Sequence, residues 1–125
     1  MDSCDYKSYA QALDLVNDKE LIEEYKKYHK NVWKEVNEAL CSIGIKKMKI
    51  FLLGTHLFMY YEARADFDPK IDFQKYTELT PKANEWDNLM RKFQQKISDI
   101  PENQLGEWWS PMDLVYDLDW FKQQQ

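Results

Sequence analysis

Tyr25, His29 and Trp33 stand four residues apart in the stretch EEYKKYHKNVWKEV, residues 23–36, and His29 is one of only two histidines in the chain. On a helix that spacing places the three side chains on one face. A phenol one turn from an imidazole offers two proton-transfer groups, with ordinary pKa values of about 10 and about 6.5, to one small ligand. The chemistry suited to such a pair is general acid/base catalysis. Periodicity by itself favours a core histidine with satisfied ring nitrogens, and it is the company of Tyr25 one turn away that raises the catalytic reading. Trp86 falls with Ala83, Met90 and Phe93 at helical spacing. A flat indole is a good wall for the apolar face of a sugar, although core packing is the better account of any single tryptophan so placed.

Other chemistries find little support. His29, His56, Cys4 and Cys41 lack the short paired spacings of a zinc site. No G-x-S-x-G, P-loop or G-x-G-x-x-G occurs. His56 falls at a turn and reads as a solvated loop residue, and the acidic run EARADFDPKID reads as a solvated connection leading into a helix. A formal charge of −5, with basic residues interspersed among acids, argues against binding nucleic acid. The opening MDSCDYKSYAQ does not resemble a secretory signal, and no segment approaches the roughly 20 apolar residues that cross a bilayer. With two cysteines and no disulfide framework, the expected setting is the cytosol.

The elements that must hold these residues can be read from the same pattern. At 125 residues and 44% hydrophobic, the chain suits one domain spanning 1–125, with its core at about 8–118. SYAQALDLV, residues 8–16, alternates as a strand. Asn17-Asp18 supplies a turn and a helix cap, and one helix of about 24 residues should run from there to Gly44, whose missing Cβ suits a left-handed stop. KMKIFLLGTHLFMYYEA reads as strands near 46–53 and 56–63 around a Gly54-Thr55 type II′ turn. Asp68-Pro69 and Thr80-Pro81 each pair a capping side chain with a first-turn proline, so helices should begin at both. EWWSPMDLVYDL, residues 107–118, reads as a closing strand, on which Trp108 and Trp109 would point to opposite faces.

The resulting order is α+β, a split βαβ or ferredoxin-like βαββαβ fold with an extra short helix. In its central hairpin both parities are apolar: Met48, Ile50, Leu52, Leu57, Met59 and Tyr61 against Phe51, Leu53, Phe58 and Tyr60. A sheet with one wet face would show a polar parity there, so the face opposite the helices should be covered, by a partner subunit or by lining a pocket. That predicts a homodimer packed through its sheets.

Four stretches, ALDLVNDKELIEEYKKYHKNVWKEVNEAL, GIKKMKIFLLGTHLFMYYE, NEWDNLMRKFQQ and WWSPMDLVYDL, resemble the L-rhamnose mutarotase family, in order and over residues 8–118. The most specific part is E-Y-x-x-x-H-x-x-x-W, here Glu24-Tyr25, His29 and Trp33. The resemblance implies a cofactor-free, dimeric α+β barrel that interconverts the α and β anomers of a 6-deoxy monosaccharide. It implies His29 as the catalytic acid/base, with Tyr25 beside it binding substrate. Met48 stands where the bacterial rhamnose enzymes hold a tyrosine, and Trp86-Asp87 stands where they hold a Trp-Trp pair, so Met48, Trp86 and Asp87 are the further substrate-binding positions. Those departures alter contacts to ring hydroxyls rather than the acid/base helix. A related branch associated with L-fucose looks more like this sequence.

Opening a hemiacetal ring requires a base for the anomeric hydroxyl proton and an acid for the ring oxygen. If His29 takes one role, Tyr25, Asp87 or a water completes the pair. Two readings from other classes accompany this one. The same fold could serve as a non-enzymatic ligand-binding or interaction module. It could also be a dimeric α+β barrel monooxygenase or haem-handling protein using a lone histidine, although Tyr25, Trp33 and Trp86 would crowd a haem.

Overall fold

The structure is a computed structural model that describes residues 5–106 and 108–122. Cys4 and the terminal glutamines lie outside the described residues. The long first strand β1 (Tyr6–Leu15) pairs antiparallel with β3 (His56–Arg64), and β3 with β2 (Ile45–Leu53). Sheet order is β2-β3-β1-β4, with β4 (Gln94–Gln95) and β5 (Ser110–Pro111) both on the far edge of β1. This is the α+β, ferredoxin-like order, antiparallel throughout.

Local chemistry sets the helix starts as the sequence indicates. The Asp18 carboxylate accepts from the Glu20 and Leu21 amides at 2.9 and 3.2 Å and opens α1 (Lys19–Lys30). Asp68 accepts from the Lys70 amide at 3.0 Å and opens α3 (Pro69–Leu79), and Thr80 does the same for Lys82 at 3.3 Å to open α4 (Pro81–Arg91). Leu53 and His56 pair across Gly54-Thr55. Gly54 has φ +61°, and Thr55 is not among the residues with positive φ, as a type II′ turn requires.

Two expectations need correction. The first helix is not continuous: α1 stops at Lys30, Asn31 to Trp33 are non-helical, and α2 (Lys34–Ser42) follows. Lys27, His29 and Lys30 crowd the last turn of α1, where cations meet the negative end of the dipole, and Asn31 leaves the helical region at ψ 63°. The break lets the Trp33 ring reach Trp86 edge-on at 5.1 Å. The closing strand is also not a single strand over 107–118. Gln94 and Gln95 take the positions beside Leu15 and Asp14, leaving only Ala12 and Gln11 to pair with Ser110 and Pro111. Proline has no amide hydrogen to extend the ladder. Beyond one further bond from the Met112 amide to the Ala10 carbonyl, the chain leaves the sheet toward a short helix α5 (Leu118–Lys122).

The helices cover one sheet face. On it lie Leu15, Leu57, Met59 and Tyr61, packed against Val36 and Ala39 of α2, Tyr76 of α3, and Ala83, Trp86 and Met90 of α4. The other parity of the hairpin faces away, with Phe51 57% and Leu53 70% exposed. His56 is not a free loop residue. It begins β3, and its Nδ1 lies 2.6 Å from the buried Asp14 carboxylate across the sheet.

Candidate active site

The second and third turns of α1 carry Tyr25 and His29, which line one cavity together with residues of the β2–β3 hairpin. Tyr25 is 3% exposed, and His29 lies half-buried one turn on, with ring centroids 4.2 Å apart and planes tilted by 33°. The His29 Nδ1 is 3.0 Å from the Tyr25 carbonyl oxygen. A carbonyl only accepts, so Nδ1 carries the hydrogen of the neutral ring and Nε2 keeps its lone pair. Burial lowers the His29 pKa below its ordinary 6.5, outweighing the opposing pull of that carbonyl. At neutral pH the imidazole is therefore an uncharged base.

The Tyr25 phenol is biased the other way. Burial pushes its pKa up to about 12, with a contact from Gln94 acting in the opposite sense. It stays protonated and is a proton donor at neutral pH. Behind the pair stand aromatic supports. Trp86, 6% exposed, meets the His29 ring in a T-shaped contact at 5.4 Å and also touches Tyr28 at 6.1 Å and Trp33 at 5.1 Å. Phe93 packs edge-on against Tyr25 at 6.0 Å.

Beside Tyr25 and His29 lies a cavity of about 200 Å³, walled by Lys26 and Lys30 of α1 and by Ile50, Phe51, Leu52 and Leu57 of the hairpin. Drug-sized ligands occupy about 300–1,000 Å³, so this space suits a smaller molecule. The two lysines bring hydrogen-bond donors to its rim.

The structure thus brings Tyr25, His29 and Trp86 together. Met48 is half-buried on the helix side of β2, opposite Tyr61, and lies one alternation along from the cavity-lining Ile50. Asp87 is raised in pKa by burial and drawn back by Arg91, and its charge acts on Tyr76. Those neighbours place it toward α3 and the last turn of α4. Two residues escaped the sequence reading of the site. Gln94 is buried and reaches the Tyr25 hydroxyl through Nε2 at 3.5 Å, while its Oε1 accepts from the Trp108 indole at 2.8 Å. The second of these contacts spans 14 residues and the first 69, separations that no local pattern encodes.

Comparison with known proteins places the whole chain. The family model for L-rhamnose mutarotase matches residues 8–118. An L-fucose mutarotase of Xanthomonas campestris pv. campestris is 32% identical over 108 residues, covering 85% of this chain and 83% of that protein. Among solved structures, an L-rhamnose mutarotase from Formosa agariphila superposes with TM-score 0.63 at 18% identity, covering 89% of this chain and 97% of that one. A dimeric ferredoxin-like protein from an uncultured marine organism gives 0.52 at 15% identity, over 90% of each chain. Tetracenomycin F2 cyclase from Streptomyces glaucescens gives 0.55 at 17% identity, covering 89% and 95%, so the same fold also carries a different chemistry. With the match running through β1, the Tyr25–His29 helix, the hairpin and Trp86, the chain belongs to the L-rhamnose mutarotase family, isomerases that interconvert sugar anomers.

Proposed function

We propose that this protein catalyses exchange between the α and β anomers of a 6-deoxy hexose, with L-fucose ahead of L-rhamnose as substrate. His29 is the base and Tyr25 the acid. The observation that carries the assignment is the Nδ1 contact to the Tyr25 carbonyl, which leaves Nε2 as an acceptor beside a phenol that burial keeps protonated. Ring opening then proceeds with balanced protons. Nε2 takes the anomeric hydroxyl proton, the C1–O1 bond becomes a carbonyl, the C1–O5 bond breaks, and O5 receives the Tyr25 proton. Rotation about C1–C2 presents the other carbonyl face, and the same steps in reverse close the ring and restore both groups. General acid/base catalysis contributes about 10²–10⁴-fold. Since free sugars already exchange anomers unaided, an acceleration of that order suffices.

The preference for L-fucose rests on the relative at 32% identity, named for that sugar, together with the departures that the family resemblance implies at Met48 and Asp87. Trp86 supports the imidazole, and Met48 and Asp87 tune the sugar's surroundings at a greater distance. Family membership favours the enzyme over a non-enzymatic module. The working form is a homodimer in a cytosolic setting, packed through the sheet face that carries Phe51 and Leu53, whose exposure in one copy would otherwise leave an apolar patch in water. A monomer at micromolar concentration in sedimentation would refute the dimer.

Saturation-transfer NMR on L-fucose and L-rhamnose tests the activity. Added protein should speed exchange between the two anomeric protons, and His29→Ala should abolish the effect while remaining folded. Folded wild-type protein that leaves both sugars at the buffer rate would overturn the proposal.

A further inference from the structure

The Trp108 indole nitrogen carries a hydrogen and no acceptor, so the Gln94 atom 2.8 Å from it must be the amide oxygen. That contact fixes which way round the Gln94 amide sits. Its NH₂ is thereby turned toward the Tyr25 hydroxyl, 3.5 Å away, and the hydroxyl can only accept there. Gln94 is 8% exposed, and Tyr25 3%, so water has little access to undo this arrangement. The Arg91 guanidinium lies over the Trp108 ring at 4.9 Å and helps to hold the indole.

We propose that Gln94 is a positioning residue for Tyr25: oriented by Trp108, its amide occupies an acceptor site on the Tyr25 hydroxyl and so directs the phenolic proton to the substrate. The inference rests on the mutarotase reading, in which Tyr25 gives a proton to the ring oxygen. The relay contributes twice. Before transfer it sets the hydroxyl rotor, which a lone phenol leaves free. During transfer its N–H faces the oxygen on which negative charge develops, as a donor fixed in place needs no reorganisation at that moment. Trp108 acts only through Gln94, and Gln94 only through Tyr25.

Gln94→Glu is the decisive variant. One introduced oxygen still accepts from Trp108, whereas the other now accepts from Tyr25 and draws its proton away from the sugar. Exchange measured by NMR should fall by about 10- to 100-fold at pH 8, the scale of a charge-assisted hydrogen bond made in the wrong direction. On acidification the introduced carboxyl gains a proton and becomes a donor, so the ratio of variant to wild-type rate should climb toward pH 5. A residue that merely packs would give a flat ratio. A cycle with Tyr25→Phe supplies the second readout: Gln94→Met should slow the wild type yet add nothing in the Tyr25→Phe background. Trp108→Phe, which keeps a ring beneath Arg91 and loses only the N–H, should give a smaller loss that also vanishes in that background. A flat pH ratio or additive losses in the cycles would overturn the relay while leaving the mutarotase assignment intact. A wild-type protein without activity on either sugar would instead remove both.

Discussion

Tyr9 and Tyr61 lie opposite each other in the β1–β3 register, their rings stacked 5.0 Å apart at 13°, and the same substitution in each should change stability in opposite directions. The Tyr61 hydroxyl is buried without a hydrogen-bond partner among the described residues, whereas the Tyr9 hydroxyl donates to the Phe67 carbonyl at 3.2 Å. Tyr61→Phe keeps the stack and the edge contacts to Phe67 at 5.9 Å and Phe73 at 5.6 Å. It removes only an oxygen whose unpaired burial costs about 1–3 kcal/mol. The void left by one atom, about 10 Å³, returns only about 0.2 kcal/mol of that gain. The variant should therefore be more stable by about 1–2 kcal/mol, raising Tm by about 3–10 °C for a chain of this size. Tyr9→Phe leaves the Phe67 carbonyl without its donor and should lower stability by about 1 kcal/mol. Urea denaturation of both variants at pH 7 decides the matter, with a common m value required for comparison. Equal signs, or a destabilised Tyr61→Phe, would refute the reasoning by showing that the buried hydroxyl is already satisfied.

Three further outcomes follow from the site and its supports. His29→Gln should lower catalysed anomer exchange by about 10²–10⁴-fold with little change in the far-ultraviolet spectrum; retained activity in NMR exchange would rule His29 out. Because burial lowers the His29 pKa below 6.5, the wild-type rate should hold steady as pH falls through 6.5 and drop only below it, and a midpoint above 6.5 in the pH–rate profile would contradict that direction. At the alkaline end the unfolded Tyr25 loses its proton near pH 10 and the folded one near about 12, so the unfolded state binds fewer protons between them. Stability should fall across that window, less steeply in Tyr25→Phe; urea titrations at pH 9 and 11 that show equal slopes for the two proteins would count against it.

How far the residues announced this structure depends on the range of the interactions involved. The two proline-led helix starts, the Asp18 cap and the Gly54-Thr55 turn are set by atoms a few residues apart, and each formed where the local chemistry required. The hairpin's doubly apolar pattern likewise divided into a helix-facing set and an outward set, with Phe51 of the outward set also walling the cavity. The break at Asn31 was also locally signalled, by three cationic or titratable side chains in the preceding turn. It was obscured because Val32, Trp33 and Val36 continue the apolar stripe across it. Apolar periodicity records which side chains are buried and does not require the backbone between them to remain helical.

The last third of the chain shows the opposite case. Parity in EWWSPMDLVYDL describes a strand well, but a strand needs an open edge, and β1 had already given its last two positions to Gln94 and Gln95. Nothing in a stretch of sequence records that a competitor 15 residues earlier has taken its partner. The same competition built the site. With Gln94 paired beside Leu15, its side chain falls on the helix-covered face next to Tyr25, and the displaced segment turns Trp108 back to hold it. Tyr25 and His29 were legible because a helix brings residues four apart together. The groups that orient Tyr25 were not, because they arrive through sheet pairing, and pairing is decided by the whole chain. Substitutions at Ser110 or Pro111 that weaken the β5 contact should therefore disturb Tyr25 through Trp108 and Gln94 while leaving the tilted His29–Tyr25 ring contact on α1 in place.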